Sequence, residues 1–212
     1  MRAAGLGELR NRDTSVNLVG SFLINITVFA VLAVGGGLGT AWYMIEAGSR
    51  LSTRTLGPWT TWTAAGRPEA DPYTRAHTAR NALLPIATTL ELTYVATADS
   101  SGGRLHSACE YAIVVEDIEI AWWGISAFDG RGGLIQNAAD RHGFNSDTVM
   151  REPDGRAVIT LARDARAGNW LPIGGGSRVT LVLTIQDSAW AAAAMETGAP
   201  RPMPEIQRVA CR

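Results

Sequence analysis

The sequence describes a nearly neutral protein of 212 residues, with 19 basic and 20 acidic side chains, which is long enough for one domain or at most two. This charge balance argues against nucleic acid as a partner, because a nucleic-acid-binding face needs an excess of basic side chains. All 19 basic residues are arginine, which excludes a lysine Schiff base and a P-loop lysine.

A long uncharged stretch lies near the N-terminus, in residues 16–45, between Asp13 and Glu46. A helix that crosses the hydrocarbon core of a bilayer needs about 20 apolar residues, so this stretch is long enough. A cleaved signal peptide would have a shorter apolar region, although "GLGTA" is similar to a cleavage site and leaves that alternative open. We predict a cytoplasmic N-terminus over residues 1–15 and a transmembrane helix over residues 16–45, surrounded by membrane lipid.

The charges that flank this stretch predict its orientation. Three arginines precede it and two follow it closely: Arg2, Arg10, Arg12, Arg50 and Arg54. This bias favours a cytoplasmic N-terminus, and Trp42 and Tyr43 lie at the far end, where aromatic side chains prefer the membrane interface. We therefore expect a single-pass protein of the bacterial inner membrane with a periplasmic C-terminal domain.

The apolar stretch also carries a helix-packing signal. Gly35 and Gly39 form a GxxxG pair, and small residues at that spacing let a second helix approach closely. Asn25 lies inside the stretch, where an amide without a hydrogen-bond partner is costly. Its amide could bond to its own backbone, and GxxxG is common by chance in glycine-rich spans. The favoured interpretation is that these three residues contact an integral-membrane protein partner.

Residues 46–70 lack periodicity and are predicted to be a connector, mostly loop with at most one short strand. We expect Trp59 and Trp62, in this connector, to lie near the membrane surface. A helix is predicted to begin after Asp71, which is a plausible N-cap followed by a proline, and to be ended by Pro85.

The periplasmic domain, residues 71–212, alternates in hydrophobicity after this helix with the period of a β-strand. The clearest case is "SRVTLVLTIQD", in which four apolar residues share one face: Val179, Leu181, Leu183 and Ile185. Turn signals such as "DSSGG", "DGRGG" and "PDG" separate the apolar runs, and "DGRGG" leads into a further short run, "LIQN". Short strands at regular spacing predict a β-sandwich or barrel.

The glycine-rich stretch "GNWLPIGGG", residues 168–176, raises the question of a phosphate-binding loop. Such a loop opens a helix whose N-terminus receives the anion, whereas these glycines precede the clearest strand. They are predicted instead to supply positive φ angles at the entry to that strand.

The two cysteines, Cys109 and Cys211, both follow the predicted span and therefore share one compartment. In an oxidising compartment an isolated pair of this kind usually forms a disulfide. Two unpaired buried thiols are the alternative, and the absence of a CxxC motif argues against a redox-active pair.

Functional groups are densest in the segment "RHGFNSD". A hydrolase could use His142 as base, Ser146 as nucleophile and Asp147 as orienting group, although such clusters are more often hydrogen-bonded turns. A ligand-binding role of His142, Asn145 and Trp170 is favoured over catalysis, because exposed aromatic side chains beside polar loops often form binding sites.

The sequence offers little further chemistry. The three histidines, His77, His106 and His142, form no HxH or HxxxH pair, so no metal site is predicted. Ser126 in "GISAF" fails the nucleophile-elbow pattern, which needs glycine where phenylalanine stands. No catalytic residue and no cofactor are predicted.

Two segments, "AWWGISAFDGRGGLIQNAADRHGFNSDTV" and "RAVITLARDARAGNWLPIGGGSRVTLVLTIQD", resemble the C-terminal domain family of unknown function numbered 1214. "DPYTRAHTARNALLP" is similar to the helix that precedes these strands in that family, so the resemblance covers residues 59–187. It implies a mainly β, jelly-roll-like sandwich with one short helix. Longer members carry a second upstream domain, which the membrane anchor would replace here. The family brings no established activity.

The function expected from these features is that of a non-catalytic accessory subunit. Its helix would pack against an integral-membrane complex, possible hosts being respiratory or photosynthetic, and its β domain would brace that complex from the periplasm. The alternative is a membrane-anchored binding module for a small ligand or envelope sugar, and a hydrolase is less favoured.

Overall fold

The computed structural model describes the backbone of residues 5–117, 120–174, 177–195 and 202–211 and, outside residues 5–19 and 194–195, their side chains. The chain divides into two compact units, with the boundary between Ala47 and Gly48. The first unit contains one long helix, and the second is built mainly of β-strands.

The helix α1 runs over Gly5–Ala47 and contains all of the predicted span, residues 16–45. Its part Gly20–Ala47 has a mean hydropathy of 2.0 and no buried residues in the apolar window. By length and composition this helix could be a membrane anchor or a signal sequence. It extends beyond the apolar stretch at both ends because the flanking Leu, Arg, Glu and Ala residues favour helix.

The second unit is mainly β, with two sheets, as predicted. The described part of the chain forms ten strands: β1 Thr53–Leu56, β2 Trp59–Trp62, β3 Glu91–Ala96, β4 Cys109–Val115, β5 Trp122–Asp129, β6 Gly143–Asn145, β7 Ala157–Ala162, β8 Asn169–Pro172, β9 Val179–Gln186 and β10 Glu205–Cys211. Their order is β1-β2-β3-β9-β5-β6 in the larger sheet and β10-β4-β7-β8 in the smaller one. The β7–β8 pair is parallel, and the other described pairs are antiparallel.

The two sheets bury one hydrophobic core, and sequence alternation decides which side chains enter it. The four β9 residues that share a face in the sequence are buried, as predicted. Strand β9 pairs with both β3 and β5, which places it inside the larger sheet. The smaller sheet adds alternate residues of β4 and β7 to the same core: Tyr111, Ile113, Val115, Ala157, Ile159 and Leu161.

The helix α2 spans Pro72–Arg80 and begins as predicted. The Asp71 side chain accepts the N–H groups of the second and third residues after it, at 2.9 and 3.0 Å, and so caps the helix. The helix ends well before Pro85, because Ala82 adopts a left-handed φ of 50°. A third helix, α3 over Ser188–Met195, lies in an alanine-rich run and is missed by the sequence analysis.

The prediction that residues 46–70 form a connector, mostly loop with at most one short strand, is wrong. This segment forms the antiparallel hairpin β1–β2, whose second strand joins the larger sheet through β3. Trp59 is fully buried, and its indole N–H donates to the carbonyl oxygen of Pro204 at 2.7 Å. The prediction that Trp59 lies near the membrane surface is therefore wrong: the side chain belongs to the core. Trp62 is half-buried and stacks on His77 with ring centroids 4.1 Å apart.

Two further predictions concern the run "LIQN" and the glycine-rich stretch of residues 168–176. The predicted run "LIQN" forms no strand, and only Leu134 makes an isolated bridge, to Phe128. In the glycine-rich stretch, Gly168 has a positive φ of 80° and leads into β8, not into a helix. Gly174, which lies nearer to β9, has no positive φ. Residues 175 and 176 lie outside the described residues.

The predicted disulfide is confirmed. Cys109 and Cys211 are bonded across 102 residues of chain. They lie directly opposite each other in the antiparallel pair of β4 and β10. The bond therefore fastens the last described residue of the chain to the smaller sheet.

Candidate functional site

Three small or polar residues of the apolar stretch, Asn25, Gly35 and Gly39, lie on one face of α1. An α-helix turns by about 100° per residue, so Gly39 lies about 40° from Gly35, and Asn25 lies about 40° from Gly39 on the other side. These three residues therefore share an arc of about 80°. Gly37 lies on the opposite face of the helix.

This face is open. A Cβ atom added at Gly35 or Gly39 would meet no heavy atom within 4 Å, apart from the backbone of the helix itself. Asn25 is exposed, and no hydrogen bond of its amide is found among the described residues. The hydroxyl groups of Thr27 and Thr40, by contrast, bond to backbone carbonyls at 2.8 Å. The face thus presents an unbonded amide and two shallow positions on which another helix could pack.

The predicted ligand-binding residues lie at one edge of the sandwich, where the end strands β6 and β8 come into contact. His142 precedes β6. Its Nδ1 lies 3.1 Å from the carbonyl oxygen of Ile135, and its Nε2 lies 3.2 Å from Oδ1 of Asp140. Both imidazole nitrogens are therefore occupied within the loop that joins β5 and β6.

The segment after His142 does not form the hydrolase arrangement. The Ser146 hydroxyl is buried and has no hydrogen-bond partner among the described residues, so it is not paired with the His142 imidazole. The Oδ1 atom of Asn145 accepts the N–H groups of Asp147 and Thr148 and the Thr148 hydroxyl, at 2.9–3.0 Å. This is an Asx turn, in which Asn145 shapes the backbone.

Trp170, on β8, also uses its polar atoms inside the domain. Its indole N–H donates to the carbonyl oxygen of Ala162 at 3.0 Å, and its own carbonyl oxygen accepts Nη1 of Arg141 at 3.1 Å. The same guanidinium lies 5.3 Å from the centre of the Phe144 ring, a cation–π distance. Arg141 thus joins the two sheets at this edge, and this geometry favours a structural role for the cluster.

A basic cavity that the sequence analysis misses lies beside the β5–β6 loop. It has a volume of about 700 Å³, and its walls include His106, Arg131 and Arg178. Neither arginine makes an ion pair among the described residues. Asp129 also lines the cavity. Its carboxyl accepts the backbone N–H groups of Gly133 and Arg131, which hold the pKa of that carboxyl below the usual range.

The chemistry of this cavity suits a small anion. His106 faces it with Nδ1 accepting the N–H of Ala108 at 3.1 Å, which leaves the ring proton on Nε2 as a donor. An isolated antiparallel β-bridge pairs His106 with Arg178, which places the two residues directly opposite each other. The described residues contain no group of three His, Cys, Asp or Glu side chains that could hold a metal ion.

Residues 91–189, from β3 to the start of α3, match the family described as "Protein of unknown function (DUF1214)". This region, a little under half of the chain, is similar to the DUF1214 family. The matched DUF1214 region includes the disulfide residue Cys109, the basic cavity and the β6–β8 edge, but not α1. No curated protein sequence matches the chain significantly.

Two solved structures are similar to this chain. The crystal structure of the VPA0106 protein from Vibrio parahaemolyticus matches with a TM-score of 0.57 and 15% sequence identity, over 84% of this chain and 44% of that one. An uncharacterized protein from Burkholderia cenocepacia matches with a TM-score of 0.40 and 19% identity, over 57% of this chain and 30% of that one. This chain thus spans less than half the length of either protein, and the first likeness shows a shared fold.

Proposed function

We propose that this chain is a non-catalytic accessory subunit of an integral-membrane complex. Helix α1 anchors it in the bacterial inner membrane, and its periplasmic DUF1214 domain braces the complex from outside. The observation that carries the proposal is the open face of α1, where Asn25, Gly35 and Gly39 lie together with no partner among the described residues. In lipid, an unpaired amide and a flat glycine surface both favour a partner helix.

Two further observations support the orientation and the non-catalytic role. The Cys109–Cys211 disulfide is typical of a domain in an oxidising compartment such as the periplasm. The hydrolase candidate His142 has both nitrogens occupied away from the Ser146 hydroxyl. An energy-transducing host complex, respiratory or photosynthetic, is compatible with such a subunit. Co-purification would identify this complex.

The test is chemical crosslinking and co-purification of the full chain from native membranes in mild detergent. Changing both Gly35 and Gly39 to Leu places two large side chains on the open face and should release the partner. Gly37→Leu adds the same bulk on the opposite face and should retain it. A chain that always runs alone, or one that keeps its partner in the double variant, contradicts the proposal.

A second candidate function is a membrane-anchored binding module for a small ligand. It is supported by the basic cavity of His106, Arg131 and Arg178. Inorganic phosphate and citrate serve as probes in a thermal unfolding assay, since a ligand that binds the native state raises the melting temperature. Arg178→Gln should remove that rise, while Arg163→Gln, outside this cavity, should keep it. The absence of any rise would contradict this candidate.

A further inference from the structure

The segment that follows α2 exposes a run of apolar side chains. We call residues 82–86, "ALLPI", the apolar loop. Leu84 is 96% exposed, Leu83 is 50% exposed and Ile86 is 49% exposed. Nearby in the sequence, Leu90 is exposed as well. A contiguous apolar patch of this kind on a folded domain usually marks a surface that contacts another molecule or a membrane.

The apolar loop is fixed in place, so its exposure is not a result of fraying. At its start, the N–H of Leu83 donates to the carbonyl oxygen of Thr78 at 2.9 Å. At its end, the backbone of Ile86 passes close to Gly66. A Cβ atom added at Gly66 would clash with the Ile86 carbonyl oxygen. Just beyond the loop, the side chain of Thr88 accepts Nε of Arg67 at 2.6 Å. The backbone is held against the domain while the leucine side chains point outward.

The apolar loop also forms one wall of a narrow cleft. The cleft has a volume of about 200 Å³, and the opposite wall includes Trp62 and His77, whose rings are stacked. Thr60 and Thr61 of β2 line it too. The cleft therefore joins the apolar loop to the β1–β2 hairpin. Its walls are aliphatic and aromatic on these sides, and Glu91 and further threonines also line it.

A short segment of chain joins α1 to this hairpin. Five residues, Gly48–Ser52, separate α1 from β1, and five residues can span at most about 20 Å. They are folded more tightly than that, because the Ser49 carbonyl oxygen accepts the N–H of Thr53 at 2.7 Å. The covalent link between α1 and the hairpin is therefore short.

We propose that the apolar loop inserts into the lipid bilayer as a second membrane contact, with Leu83, Leu84 and Ile86 entering the interface between headgroups and acyl chains. This inference rests on the proposed anchoring of α1 and goes beyond it by giving the DUF1214 domain a lipid contact of its own. Helix α2, which precedes the loop, carries Arg75 and Arg80 and no acidic residue, which suits anionic headgroups. The loop lacks the Trp, Tyr and Arg side chains that dominate protein–protein contacts.

The test places an environment-sensitive fluorophore on the full chain reconstituted in vesicles of phosphatidylethanolamine and phosphatidylglycerol. Both native cysteines are bonded to each other, so an introduced cysteine is the free thiol to label. A probe at Leu84→Cys should shift to shorter emission wavelengths and be quenched severalfold by spin-labelled lipid. A probe at Met150→Cys is the matched control: Met150 is 63% exposed, and it follows β6 at the opposite edge of the larger sheet.

A third probe, at Leu32→Cys within α1, separates the two proposals. Quenching at position 32 without quenching at position 84 overturns the lipid contact and leaves the anchor in place. Quenching at neither position contradicts the anchor. A probe at position 84 that is shielded in native membranes but water-exposed in the pure-lipid vesicles also overturns the proposal, because it identifies a protein partner as the occupant.

Discussion

The carboxylate of Asp99 binds the guanidinium of Arg208, although 109 residues separate them in the chain. Asp99 is buried in the turn between β3 and β4, and Arg208 lies on β10. The other oxygen of the carboxylate accepts three hydrogen bonds from Ser101 and Gly103, at 2.6–3.0 Å. One side chain thus fixes the turn and joins it to the C-terminal strand.

This arrangement predicts a loss of stability in acid. Burial raises the pKa of Asp99, but hydrogen bonds from Ser101 and Gly103 and the charge of Arg208 outweigh it and leave the pKa below its ordinary value of 3.8. A carboxyl whose pKa is lower in the folded state stabilises the fold above its unfolded pKa, and this stabilisation is lost as the pH falls through the folded pKa. We therefore expect the free energy of unfolding, measured in urea, to fall as the pH drops below about 4.

Asp99→Asn isolates this contribution. Asp99 is buried but its partner Arg208 is partly exposed, so solvent screens the ion pair. We expect the loss of the charged hydrogen-bond acceptor to lower the free energy of unfolding by about 2 kcal/mol at pH 7. The difference from the native chain should begin to shrink below about pH 4 and should be lost only as the pH falls through the lowered pKa of Asp99 in the folded state. A constant difference between pH 7 and pH 2.5 would show that the carboxylate charge is not what stabilises the turn.

The disulfide should stabilise the domain by constraining its unfolded chain. Cys109 and Cys211 close a loop of 102 residues, and the chain-entropy treatment assigns such a loop about 4 to 5 kcal/mol. Replacing both cysteines with Ser should lower the free energy of unfolding accordingly, and hydrogen exchange should become faster in β10 before other strands. Equal stability of the oxidised and reduced native chain would contradict this expectation.

Trp59 should contribute more to stability than Trp62, although both lie on the four-residue strand β2. The Trp59 indole is fully buried and donates to the Pro204 carbonyl oxygen at 2.7 Å. Trp59→Phe leaves that buried oxygen without a donor, which costs about 2 kcal/mol. Trp62→Phe keeps an aromatic ring against His77 and should cost less than about 1 kcal/mol. Urea unfolding of the two variants checks the order.

Gly66→Ala should displace the apolar loop. Gly66 has a φ of 72°, and an added Cβ would clash with the Ile86 carbonyl oxygen. Gly57→Ala is the control, because Gly57 has a φ of 57° but open space around it. The control should lose about 1 kcal/mol from backbone strain alone. Gly66→Ala should lose more, with faster hydrogen exchange in residues 82–88, and equal losses would show that the close approach is unimportant.

The parts of the fold that the sequence predicts are those that depend on interactions between residues close together in the chain. The alternation in β9 and the cap at Asp71 require only neighbouring residues, and both are confirmed. Strand β10 could not be found in this way, because it buries only Ile206 and has no alternation to detect. Its place depends on backbone pairing with β4 and on the disulfide. The β1–β2 hairpin did leave a signal, since Gly57 and Pro58 stand between two threonine-rich runs.

The candidate sites follow a different rule, because each depends on contacts between distant segments. The imidazole of His142 makes this residue a candidate in the sequence. In the folded loop, however, the Ile135 carbonyl oxygen and the Asp140 carboxylate occupy both imidazole nitrogens. The basic cavity unites His106 and Arg178, which lie 72 positions apart and meet through an isolated bridge. Residue type alone cannot show such pairings. The α1 face is the exception, since helical geometry fixes it from spacing.

Asn25 gives the sharpest test of whether α1 packs against a partner within the membrane. Asn25→Leu replaces an amide, unbonded among the described residues, with an apolar side chain, so insertion of α1 into lipid should improve while binding to the partner weakens. Interhelical hydrogen bonds in membranes contribute about 1 kcal/mol, so the expected loss of co-purified partner is about fivefold. Thr27→Val is the matched control, because the Thr27 hydroxyl already bonds to Leu23 within the helix and lies on the far side from Asn25. If both variants lose partner equally, or if neither does, the amide is not a contact, and the glycine surface alone would have to explain any association.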